Sequence, residues 1–267
     1  MAYGGNYGGY GTYDGTFRAE QFRLGPSTLT PGVRGLILLN TAVFAAQLSL
    51  APLEWWLGVP GFLGNWFGFQ GGDFLRGMVW QPLTYQLLHG GLMHLFMNML
   101  WLYMFGSEVE DLLGTRQFAC FYFGCGALAV LASLFELAIF GRNPVIAGAS
   151  GSVMGVLMAF AMIDPQRRFF LFPFPISVTA AWMVVIVAAM NVLSGVSGSD
   201  AAVTTHLGGL AAGYGLMKAI PLWHQWRRER ARAKWFAPPR DNGEAEQRAR
   251  EKAREAVDNI FKFKDRP

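Results

Sequence analysis

The chain has 267 residues, 52% of them hydrophobic and only 15% charged, against about 25% charged in an ordinary soluble domain. Mean hydropathy is +0.27, and the apolar residues gather in long blocks between about residue 33 and residue 222, which excludes a conventional soluble core and points to a bilayer. A net charge of +4 with a pI of about 9.2 does not indicate nucleic acid, because the positive residues sit mostly at the flanks of the apolar blocks and in the C-terminal tail, where they act as topology signals.

Residues 1–26 are rich in Gly and Tyr and low in complexity, a composition expected to be disordered. The start lacks the basic and apolar regions of a cleaved signal peptide, so the first apolar segment reads as an anchor. Six apolar segments follow, at 33–51, 83–105, 117–140, 148–163, 176–194 and 202–221. A spanning helix needs about 20 residues, and the fourth segment is short by that measure. The predicted organisation is a cytoplasmic tail over 1–26, an all-α membrane domain over 27–222 and a charged, partly helical cytoplasmic tail over 223–267.

Arg18, Arg23 and Arg34, then Arg116, then Arg167 and Arg168, then Lys218 and the basic run after it occupy one set of connections; only Arg76 and Arg142 fall in the other set. The positive-inside rule places both termini in the cytoplasm. The outer connection 52–81 carries Trp55, Trp56, Trp66, Phe67, Phe69 and Trp80, which read as an interfacial anchor. Cys120 and Cys125, five apart in an apolar segment, read as buried small hydrophobes. In the last tail, Glu244–Arg248 and Glu246–Arg250 have i,i+4 spacing and suggest a solvated helix; Ile260, Phe261 and Phe263 offer a membrane-surface alternative.

Polar groups inside an apolar segment are costly and suggest function. His94 and Asn98 lie in the second segment, Ser150 in the fourth and His206 in the sixth. His94 stands 14 residues before Glu108, Ser150 stands 14 before Asp164, and His206 stands 12 before Lys218. Those offsets are heights of roughly 18–21 Å above the cytoplasmic side, some 10 Å below the outer surface of a core about 30 Å thick. Singly, each has a plainer account: Ser150 bonding back to a carbonyl, His206 packed and hydrogen-bonded, Asn98 joining helices. Their common depth favours a site.

Gly148-Ala149-Ser150-Gly151 opens the short fourth segment. A serine at a helix start has an accessible hydroxyl and unpaired N–H groups beside it, which suit a nucleophile and an oxyanion. Gly209 and Gly213 lie three and seven residues after His206, on its face of the helix. Such a face packs closely on another helix, and Gly151/Gly155 offer the partner, bringing imidazole within reach of Ser150 as a general base. His94 and Asn98, four apart, stack on one face and could donate to an oxyanion. His89 lies off that face and reads as structural. No triad acid is evident, and Asp200 is given no role.

Taken in order, LLHGGLMHLFMNMLWLYMFGSEVEDLLG (87–114), GASG (148–151) and HLGGLAAGYG (206–215) resemble the rhomboid family of intramembrane serine proteases, over roughly residues 80–217. The resemblance implies a six-transmembrane-helix bundle with a water-filled cavity open to the outer side. Ser150 and His206 then match the family's catalytic dyad, and His94 and Asn98 its oxyanion hole; Gly148, Gly151, Gly209, Gly213 and His89 would give structural support. It also implies no metal or other cofactor, no nucleic acid, and transmembrane proteins as substrates within the lipid bilayer. Two departures stand out: Met154 replaces an aromatic that packs on the dyad histidine in many relatives, and Trp80-Gln81 stands near the place of their Trp-Arg pair. Met154 is expected to alter histidine positioning without abolishing activity.

Two other function classes fit less well. A catalytically silent rhomboid-like protein that binds membrane clients would typically lack a dyad residue, and a transporter using His89, His94 and His206 would show metal retention or ion flux. The six-segment layout favours a multi-pass protein of a prokaryotic cytoplasmic membrane.

Overall fold

The computed structural model describes residues 29–170, 177–196, 203–235, 247–248 and 250–255. The Gly/Tyr-rich stretch 1–26, Asp200, Glu244, Glu246, Ile260, Phe261 and Phe263 lie outside them. The chain divides into two compact units, Met1–Lys218 and Ala219–Pro267, and the first holds the site described below.

The elements in order are α1 (Pro31–Trp56), α2 (Phe62–Phe67), α3 (Gly71–Leu75), α4 (Gln81–Thr84), a 3-10 turn (Tyr85–Leu87), α5 (Leu92–Leu113), α6 (Thr115–Leu131), α7 (Ser133–Phe140), α8 (Ser150–Ile163), β1 (Arg168–Phe170), β2 (Ser177–Thr179), α9 (Ala180–Val196) and α10 (Val203–Trp235). The fold is helical and of membrane type. To it the structure adds a small antiparallel ribbon, with Arg168 opposite Thr179, Phe169 opposite Val178 and Phe170 opposite Ser177.

The six apolar segments coincide with α1, α5, α6–α7, α8, α9 and α10, with three adjustments. The second segment does not begin as a helix at residue 83: α4 and the 3-10 turn come first, and α5 starts at Leu92 behind an extended Gly91. Gly90-Gly91 resist helix through their backbone freedom. The third segment breaks at Ala132, where the Ser133 hydroxyl donates to the Val130 carbonyl at 2.6 Å, an example of a side chain competing with the helix ladder. The last helix runs on to Trp235.

α8 is the core helix. Residues all round it are buried, including Gly151, Ser152, Val153, Gly155, Val156, Leu157, Ala159 and Phe160, as expected of a helix apolar on every face. α5 and α6 pack against it. Its 14 residues reach roughly 21 Å, less than the hydrocarbon thickness of about 30 Å, so its start lies inside the body of the protein. The outward faces carry Leu38, Leu48, Leu92, Met93, Phe135, Trp182 and Leu193, all well exposed. Small and polar residues turn inward instead: the Ser152 hydroxyl donates to Gln86 Oε1 at 2.6 Å, and Tyr85 Oη donates to the Gly126 carbonyl at 2.7 Å. This distribution suits a bilayer, where lipid solvates apolar side chains and only the protein interior can satisfy polar ones.

Glu110 ties three helices together. Its carboxylate accepts from the N–H groups of Gly32 and Val33, each at 2.8 Å. It also accepts from the hydroxyls of Thr30 at 2.5 Å and Thr115 at 2.6 Å. A distant acid thus caps α1, whose own N-cap Thr30 makes no side-chain cap bond.

The connection between α1 and α5 corrects one sequence reading. Trp55, Trp56, Trp66 and Phe67 are exposed, but Phe69 is fully buried. It exchanges both backbone hydrogen bonds with Ile146 at 2.8 Å and packs with Tyr85 and Val130, because pairing with the segment before α8 turns it inward. Trp80 stacks on Trp66 and donates Nε1–H to the Trp66 carbonyl at 2.9 Å. Gln81, fully buried, accepts from the Gln70 N–H at 3.2 Å. Cys125 is buried as expected, whereas Cys120 is exposed on the outer side of α6, where lipid can solvate it.

Candidate active site

The turn before Ser150 is held by backbone bonds on both sides. Ile146 pairs with Phe69, and the Gly148 N–H donates to the Tyr85 carbonyl at 2.9 Å. Gly148 has φ +136°, a conformation L side chains rarely adopt. The chain can therefore turn sharply and start α8 at Ser150. As the first residue of the helix, Ser150 has its N–H among the donors a helix leaves unpaired.

His206 is the fourth residue of α10. Its Nε2 lies 2.8 Å from Ser150 Oγ. Glycine makes this approach possible. A Cβ at Gly209 would run into the Gly151 carbonyl oxygen, and one at Gly213 would stand 2.5 Å from the Gly155 oxygen and 2.7 Å from Gly155 Cα. α8 and α10 meet backbone to backbone along the faces the glycine spacing indicates. Met154 lies on this seam, its Cβ 3.0 Å from where a Gly209 Cβ would be.

His94 reaches the same turn from α5. A Cβ at Gly148 would fall 2.6 Å from His94 Cε1 and 2.9 Å from His94 Nε2, so the imidazole packs directly on the residue two before Ser150. Asn98, one turn further along α5 and buried, donates from Nδ2 to the His94 carbonyl at 3.0 Å; an amide nitrogen carries a second N–H. His89 lies in the Leu88–Gly91 link ahead of α5 and is buried. Its ring meets that of His94 edge-on, with centroids 5.2 Å apart. Gln47 grips its backbone, accepting from the His89 N–H at 3.0 Å and donating to the His89 carbonyl at 3.4 Å. That position suits a buttress for His94.

One member of the constellation was not singled out in the sequence. Asn191 of α9 places Oδ1 2.6 Å from His206 Nδ1, so the imidazole has a serine on one nitrogen and an amide on the other. The signal was present. Asn191 stands in the apolar run VVIVAAMNVL, 14 residues after Ser177, the same offset that separates His94 from Glu108 and Ser150 from Asp164.

A hydroxyl bonded to an imidazole, at the unpaired start of a helix and next to a second imidazole, can perform acyl transfer. The comparisons with known proteins bear on the same stretch. A family model for the rhomboid domain matches residues 76–221, which include His89, His94, Asn98, Ser150, Asn191 and His206. The chain is 35% identical over 161 residues to the mitochondrial rhomboid protein 1 of Saccharomyces cerevisiae, covering 55% of this chain and 44% of that one. It is 30% identical over 148 residues to the rhomboid protease GluP of Bacillus subtilis, covering 55% and 27%. To the mitochondrial presenilin-associated rhomboid-like protein A of Danio rerio it is 32% identical over 149 residues, covering 56% and 37%. The match spans less than half the length of each of these relatives.

Proposed function

The chain belongs to the rhomboid family, and from that premise we propose that it is an intramembrane serine endopeptidase, with Ser150 as nucleophile and His206 as general base. The observation that carries the reading is the 2.8 Å contact between Ser150 Oγ and His206 Nε2. It falls at the start of a helix too short to span the bilayer, within the matched region.

In the proposed reaction His206 Nε2 takes the Ser150 proton as Oγ attacks a peptide carbonyl of a substrate segment. The tetrahedral oxyanion is held by the Ser150 N–H together with His94 and Asn98, donors fixed before the charge develops. On collapse, the imidazolium protonates the leaving amine and the acyl group stays on Ser150. Water then adds to the ester with His206 again accepting the proton; on collapse the bond to Ser150 Oγ breaks, the imidazolium returns its proton to Oγ, and the acid product leaves. Substrates are membrane proteins whose transmembrane segment can unwind at this depth, because the peptide groups of an intact helix are shielded and hydrogen-bonded. No cofactor enters this scheme.

The same reading has α1, α5, α6–α7, α8, α9 and α10 crossing the bilayer with both termini cytoplasmic, in a prokaryotic cytoplasmic membrane. The distribution of arginine supports the orientation; the relatives named above come from mitochondria as well as a bacterium.

Reaction with a fluorophosphonate probe tests the proposal. Mass spectrometry is expected to place the adduct on Ser150, and His206→Ala is expected to abolish it. A folded native chain that forms no adduct at Ser150 overturns the enzymatic reading in favour of silent client binding.

A further inference from the structure

We infer that Asn191 is a positioning residue for His206, holding the imidazole as its Nδ1–H tautomer so that the Nε2 lone pair faces Ser150. The catalytic value of this rests on the proposed protease reading; the tautomer itself does not.

The direction of the Asn191 amide is set by a second contact. Its Nδ2 donates to the Val187 carbonyl one turn back at 2.8 Å, which leaves Oδ1 toward His206 Nδ1 at 2.6 Å. Turning the amide over would set Oδ1 against the Val187 carbonyl, two acceptors with no proton between them. With the amide fixed, the proton of the neutral imidazole is fixed too. Oδ1 can only accept, so Nδ1 carries the hydrogen. Nε2 is then the acceptor, facing Ser150 Oγ at 2.8 Å, as a general base must.

The surroundings of Asn191 explain why it is worth the cost of an amide. It lies on α9, in an apolar stretch where an unbonded amide is expensive, and both ends of its amide are engaged. It joins α9 to α10 at the residue that also joins α10 to α8, so three helices meet through two side-chain bonds on one ring. A neutral amide orients the imidazole without adding a charge to a low-dielectric site. The resulting chain of contacts, Ser150–His206–Asn191, has the layout of a serine–histidine–amide triad, with the Asn191 amide in the third position.

The test compares the native chain with Asn191→Leu, which keeps the bulk but removes the acceptor, and Asn191→Asp, which restores it. In protein labelled with 15N-histidine, with His206→Ala used to assign the signal, native His206 is expected to show a protonated Nδ1 and a bare Nε2. Asn191→Leu is expected to lose that pattern and Asn191→Asp to keep a protonated Nδ1. In cleavage assays Asn191→Leu is expected to lower kcat by about 10- to 100-fold with KM within about twofold, because a misplaced or wrong-tautomer base harms the chemical step more than binding. Asn191→Asp is expected to recover most of that loss. A His206 tautomer unchanged in Asn191→Leu overturns the inference whether or not the chain cleaves. So does an unchanged kcat in that variant. A native chain that cleaves nothing but shows the tautomer change refutes the protease reading and leaves the positioning intact.

Discussion

Gly213→Ala and Gly215→Ala add the same methyl group to the same helix two residues apart, and their effects should be opposite. At Gly213 the new Cβ lies 2.5 Å from the Gly155 carbonyl oxygen, whereas ordinary contact begins at 3.4 Å. The shortfall of about 0.9 Å must come from two backbones, so no rotamer change can absorb it and α8 and α10 have to part. Overpacking of this kind costs about 1–3 kcal/mol. Contact with a backbone argues for the upper end, offset by about 1 kcal/mol gained when alanine replaces glycine in a helix. A net loss of about 2 kcal/mol follows. At Gly215 nothing lies within 4 Å, so only the gain of about 1 kcal/mol remains. The parting also draws His206 from Ser150, and a misplacement of about 1 Å is worth up to about 100-fold in rate. Unfolding titrations with SDS in mixed micelles, paired with cleavage rates, measure both effects. A Gly213→Ala protein as stable and active as Gly215→Ala would refute the backbone-contact argument.

Three further outcomes are expected. Glu110→Ala leaves the N–H groups of Gly32 and Val33 without their acceptor and should lower stability by about 3 kcal/mol, with Glu110→Gln losing less; thermal unfolding in detergent checks the order, and an Ala variant melting with the native chain contradicts it. Gly148→Ala forces a side chain into φ +136° and against the His94 ring, so fluorophosphonate labelling of Ser150 should fall by about 100-fold or more; full labelling would remove that turn from the account. Among otherwise matched single-span substrates, those with glycine or proline near the outer boundary should be cut faster than an uninterrupted poly-Leu span, and equal rates would speak against local unwinding.

Much of the candidate site was legible because a bilayer makes polar residues conspicuous. Ser150, His206 and His94 stood at one inferred depth, and the structure brings them around one turn. The spacing of Gly209 and Gly213 pointed to the α8–α10 contact. Asn191 carried the same kind of signal at the same offset, but its importance depends on which way α9 turns, and apolar helices flanked by lipid and protein show little periodicity to reveal that. Hydropathy also merged α4, the 3-10 turn and α5 into one segment, since a buried turn and a helix are equally apolar. The burial of Phe69 came from a pairing with Ile146, 77 residues away in the sequence, which no local pattern announces. The Glu110 cap on α1 is invisible for the same reason: the residue that satisfies the helix start lies 78 residues beyond Gly32, past α2, α3 and α4.

The most direct test of the account is cleavage of a fluorescently tagged single-span protein by the purified chain in lipid, set against Ser150→Ala and His206→Ala. The account predicts that the native chain releases a fragment cut within or beside the span and that neither variant does. A folded native chain that leaves the substrates intact beside an active related protease, or a variant that still cuts, would contradict it.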